Sequence, residues 1–108
     1  MRHGGMSAQE SLDLLIVALC ADYQRRKEVI ENRSARRRVD TEFRYLNFKI
    51  YDATAEIVGE ELAELFIYEI GNKVGYANTE VDSMSESTYK IYKKKIKDNL
   101  SVKLYLCP

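Results

Sequence analysis

Between residues 40 and 58 the apolar side chains fall on two helical stripes at once. Phe43, Leu46, Ile50, Ala53 and Ile57 make one, and Phe48, Tyr51, Ala55 and Val58 make the other. Apolar residues recurring at intervals of three and four mark one face of a helix. A helix with two such faces needs a neighbour on each side, so this stretch is expected to be the central helix of a bundle. Asp40 or Thr41 is placed to cap it with Glu42 in the first turn. Gly59 suits the left-handed residue that ends a helix.

Three other segments share the period. From Glu10 to Asn32 one face carries Leu12, Leu15, Ile16, Leu19, Tyr23 and Ile30. Leu14, Val17, Ala18 and Ala21 add a second face, so the first half of this helix is expected to be buried on several sides. Glu60 and Glu61 open a helix whose buried face is Leu62, Leu65, Phe66, Ile70 and Val74, and which stops at Gly71 or Gly75. Ser85 caps a last helix that runs to about Leu104, with Tyr89, Tyr92, Ile96 and Leu100 inside. Tyr76 to Met84 reads as a polar loop. The single proline of the 108 residues is Pro108, so no interior helix is broken by one. The sequence predicts an all-α fold, a compact bundle of about four helices, with residues 1–9 a flexible tail and 10–108 one helical domain.

The formal net charge is zero, but the signs are sorted along the chain. Asp22 to Lys49 holds nine bases against five acids, Ile50 to Thr88 one base against nine acids, and Tyr89 to Pro108 six bases against one acid. The last helix therefore has a lysine side, and Arg33 to Arg38 carries four arginines. Two arrangements follow. The acidic middle and basic end pair with each other, within one molecule or between two, or the lysines face a polyanion.

Most catalytic chemistry is excluded by residue type. The one histidine, His3, stands in the tail, so neither a Cys-His pair nor a Ser-His-Asp triad has a held base. Cys and His are too few for a zinc site. Glu56, Glu60, Glu64 and Glu69 recur at near-helical spacing, but a carboxylate metal pair of the bundle type adds histidines at fixed offsets. A solvated acidic face is expected instead. Gly71-Asn-Lys-Val-Gly75 lacks the strand and the Lys-Ser/Thr ending of a phosphate loop. No enzyme activity, cofactor, metal or small-molecule substrate is expected. Cys20 and Cys107 read as two reduced thiols, with a bridge between them the alternative. Leu14 to Ala21, eight apolar residues, falls well short of the roughly 20 that span a bilayer. Acids stand where a targeting segment carries bases, so a cytoplasmic location is the default.

Met84-Ser-Glu-Ser-Thr-Tyr89, followed by Ile96 and Leu100, resembles the last helix of sigma-factor region 4 and of related phage and mobile-element regulators. In that family an apolar residue, Ser, two variable residues and an apolar residue open the recognition helix. The resemblance spans Met84 to Leu100, and Tyr76 to Asp82 makes the preceding turn longer than the family pattern. It implies a helix-turn-helix-like C-terminal half, with Ser87, Thr88 and Lys90 nearest the bases of duplex DNA. Lys93, Lys94 and Lys97 would serve the phosphates, flanked by Arg36, Arg37 and Arg38. The expected function is a non-catalytic, DNA-binding transcriptional regulator. The alternative is a helical interaction or dimerisation module with an acidic middle, a basic end and no nucleic-acid role.

Overall fold

The chain enters its first helix through a capping box. The Ser7 hydroxyl accepts from the Glu10 N–H at 3.1 Å, and the Glu10 carboxylate accepts from the Ser7 N–H at 2.9 Å. The pair satisfies two donors that a helix start leaves without partners. Helix α1 (Ala8–Ala21) thus opens ahead of Glu10, inside the stretch expected to be tail. The computed structural model describes residues 7–32 and 38–105, and at 38–40 the backbone alone. Arg33 to Arg37 and the Cys107 end of the conceivable bridge lie outside them.

The single helix expected to reach Asn32 is broken at Asp22, where φ is −92° and ψ −1°. The chain resumes as α2 (Tyr23–Asn32). A buried arginine holds the break. Arg26 donates to the Leu19 carbonyl at 2.6 Å, to Asn47 Oδ1 at 2.6 Å and to Asp22 Oδ2 at 3.0 Å. The Leu19 carbonyl is among those that the end of α1 leaves without an intrahelical donor. Asn47 in turn donates to the Tyr23 carbonyl at 3.1 Å.

Helix α3 (Arg38–Val58) begins before Asp40 and Thr41, which therefore lie in its first turn and do not cap it. Gly59, at φ +89°, separates it from α4 (Glu60–Gly71). A 3₁₀ turn at Tyr76–Asn78 interrupts the connection to α5 (Glu86–Lys103). Helix α3 packs against α2, α4 and α5, and α1 packs across α4 and α5. With α1 and α2 counted as one broken helix, the fold is the expected all-α, four-helix bundle with α3 central. No strand occurs among the described residues. The core joins Ile16 and Cys20 of α1, Ile50 of α3, Phe66 and Ile70 of α4, and Tyr89, Ile96 and Leu100 of α5. Where α1 meets α4 the backbones nearly touch: a Cβ on Gly71 would stand 2.5 Å from the Ala21 nitrogen.

Three expectations about faces are corrected. Leu14 and Leu15 are 42% and 44% exposed and Ala18 is exposed, because no helix among the described residues covers that side of α1. Phe48 does not join the second core stripe of α3 but stands 63% exposed. Glu69 is not part of a solvated acidic face: it is 1% exposed, one turn from Phe66 and beside Ile70. Among the described residues no helix is long and apolar enough to cross a membrane.

Candidate functional site

Helix α5 is fixed at its start by Ser85, whose hydroxyl accepts from the Thr88 N–H at 3.3 Å. The segment before it is held by Glu69. That carboxylate accepts from the Thr79 hydroxyl, the Glu80 N–H at 2.8 Å and the Tyr89 hydroxyl at 2.6 Å. Burial alone would raise the Glu69 pKa, but these donors outweigh it and hold the carboxyl below its usual range. Tyr89 is the reciprocal case, its phenol pushed up to about 12 by burial and by the carboxylate. Tyr89 also packs, tilted, between the rings of Phe66 and Tyr76, with both centroids 5.6 Å away. The first turn of α5 is thereby pinned to the end of α4. The connection of Asn72 to Ser85 far exceeds the 3–4 residues of a helix-turn-helix turn.

Past Tyr89 the lysines separate by face. Lys90, Lys93, Lys94 and Lys97 line one open groove of about 510 Å³ between α5 and α1, with Asp13 and Asp98 as its acids. Four lysines against two aspartates leave the groove positive. Lys97 forms an ion pair with Asp13 at 2.9 Å, which ties α5 to α1. Lys93 is turned inward: its ammonium donates to the Val74 carbonyl at 2.6 Å and lies 5.0 Å from the Tyr89 ring centroid. Burial, and then the neighbouring Lys97, pull its pKa below the usual lysine value. It acts as a strut for the connecting segment.

Lys90 and Lys94 face outward at 68% and 77% exposure. Their ion pairs are with Glu86 at 2.9 Å and Asp98 at 3.5 Å, one helical turn away on α5 itself. Such exposed pairs are weak and exchange readily for another anion. Neither lysine is tied to the acidic helix: Glu64 takes Lys27 of α2, and Glu56 takes Lys103. Ser87 is exposed beside Lys90 and Lys94. Thr88 is half-buried, and its Oγ1 accepts from the Ser85 hydroxyl at 3.0 Å.

Of the residues expected to form the site, the structure brings Ser87, Lys90, Lys94 and Lys97 to one side of α5. It commits Thr88 to the cap and Lys93 to the interior. Arg36 and Arg37 lie outside the described residues, as does the side chain of Arg38. Asp13, which sequence reasoning did not single out, closes the groove from α1; at charged positions on separate helices, only the tertiary contact reveals the pairing. Among the described residues no group of three or more His, Cys, Asp or Glu side chains could hold a metal ion. The chain matches no protein-family model, no curated protein and no solved structure.

Proposed function

We propose that the protein is a non-catalytic, DNA-binding regulator that lays the outer side of α5 against duplex DNA. The observation that carries this reading is the placement of Ser87, Lys90 and Lys94 on one exposed side of a capped helix, the two lysines pairing with Glu86 and Asp98 of that same helix. Phosphates replace Glu86 and Asp98 as partners of these lysines and release condensed counterions. Ser87, in the first turn, is the side chain nearest a base edge. The likeness of Met84 to Leu100 to the last helix of sigma-factor region 4 supports the same orientation. The test is a gel-shift titration of duplex DNA at low salt. The wild-type chain is compared with a Lys90→Gln/Lys94→Gln variant. A shift that the substitutions weaken supports the reading, and an unshifted duplex or an indifferent variant removes it.

One observation favours a second reading, self-association through α1. Leu14, Leu15 and Ala18 form an apolar surface that no helix among the described residues covers. Light scattering distinguishes the two: a dimer that Leu14→Glu dissociates, together with no DNA shift, assigns the molecule to the interaction class.

A further inference from the structure

The N-terminal half of α3 carries a second surface, unrelated to the lysine side of α5. Tyr45 and Phe48, one helical turn apart, are 60% and 63% exposed. Arg44, also exposed, precedes this pair and Lys49 follows it. The Lys49 ammonium lies 5.3 Å from the centroid of the Tyr45 ring. One face of the helix therefore presents two exposed aromatic rings, Phe48 uncovered and Tyr45 with Lys49 against one side of it, flanked by Arg44. In the chain the face is preceded by Arg33, Arg36, Arg37 and Arg38. The acids on this side of α3 are Glu42, exposed one turn before Tyr45, and Asp52, half-buried one turn beyond Phe48.

We infer that this face is a stacking platform for single-stranded nucleic acid. Unpaired bases lie on Tyr45 and Phe48, and the adjoining phosphates lie against Arg44 and Lys49. Every base has a π-face, so ring stacking tolerates any sequence, while the cations follow the backbone. The mixture of groups decides between partner classes. An apolar protein surface seated on the rings would also desolvate Arg44 and Lys49, which is unfavourable without matching acids. A strand of nucleotides uses the rings and the cations together. A duplex cannot use the rings, because its bases are stacked on one another. This surface is thus distinct from the duplex side of α5 and stands on different side chains.

The chain has no tryptophan, so Phe48→Trp introduces a single indole reporter at the platform. Titration uses an oligothymidylate of about 15 nucleotides, within the range that single-strand-binding domains occupy. The expected result is quenching of the indole by the bases. An abasic strand of equal length leaves the emission unchanged and binds about tenfold more weakly or worse. With a labelled oligothymidylate, anisotropy reports a loss of about five-fold or more for Tyr45→Leu and for Phe48→Leu, which keep apolar bulk and lose the ring. Both side chains are exposed, and unchanged circular dichroism spectra establish that the variants fold.

The Lys90→Gln/Lys94→Gln variant separates the two surfaces: it loses duplex binding and retains the oligothymidylate quench. Equal affinity for abasic and base-bearing strands would falsify the platform, reducing it to a general polyanion site. An unquenched indole, or leucine variants that bind like wild type, would overturn it as well.

Discussion

Tyr89 and Glu69, each 1% exposed, share a hydrogen bond of 2.6 Å where the first turn of α5 meets the last turn of α4. The contact joins the middle of the chain to its final helix and leaves the phenol no access to water. Removing the hydroxyl leaves Glu69 with the Thr79 and Glu80 donors but one partner short. Tyr89→Phe is expected to destabilise the fold by about 1–3 kcal/mol, the usual cost of an under-satisfied buried polar group. Urea denaturation measures it; an unchanged midpoint would show that the hydrogen bond contributes nothing net.

The same carboxylate gives stability a dependence on acid. Glu69 has a folded pKa below its ordinary value. Such a group contributes stability that is complete above the unfolded value of roughly 4.3 and is lost as pH falls through the folded pKa. The wild-type urea midpoint should therefore fall between about pH 6 and about pH 3, and fall less in Glu69→Gln. Parallel falls in the two proteins would assign acid sensitivity to other carboxylates. Glu64 is the first candidate, held low chiefly by its hydrogen bond from Lys27.

Gly71→Ala tests the close approach of α1 and α4. Alanine is the better helix former by about 1 kcal/mol. Its methyl, however, would stand 2.5 Å from the Ala21 nitrogen and 2.6 Å from the Ala21 Cα. Backbone atoms on both sides cannot yield as a side-chain tip can. A net loss of about 1–3 kcal/mol is expected from overpacking, seen as a lower Tm. A higher Tm would mean that the two helices separate without cost.

Lys90 and Lys94 make the duplex reading quantitative. Each neutralised phosphate contributes a slope of about −0.9 to the dependence of log affinity on log salt. The Lys90→Gln/Lys94→Gln variant should reduce the magnitude of that slope by about two. A slope that stays the same while affinity falls would place these lysines outside the phosphate contacts.

The helical period carried most of the fold. The starts of α4 and α5, the left-handed Gly59 and the central position of α3 all follow from residue spacing. The opening of α1 is also written in the sequence, as Ser7 and Glu10 three apart, but it directly follows a polar, glycine-containing stretch with no apolar period. Glu69 was legible too. It stands three after Phe66 and next to Ile70, on the apolar face of its helix, where a carboxylate is buried only if donors meet it. Those donors, Thr79 and the Glu80 N–H, come from a loop whose path no spacing rule gives. The break at Asp22 left no trace, because apolar residues keep their period through it and Arg26 holds it by contacts with a distant helix. Phe48 and Leu14 show the opposite limit. A second apolar stripe states that a face can be covered; whether a helix covers it depends on how many the chain has to spend. In the candidate site, lysine side chains of one helix take opposite fates, Lys93 inward and Lys94 outward, on a difference of one position.

Gly59 has a kinetic consequence. One residue links α3 to α4, and these two helices pack against each other. This helix–helix contact therefore closes over a single linking residue. Contacts local in sequence form early, because little chain entropy is lost in closing them. The α3–α4 hairpin is thus expected to form early, with the remaining helices adding to it, and high φ-values confined to α3 and α4 would check this.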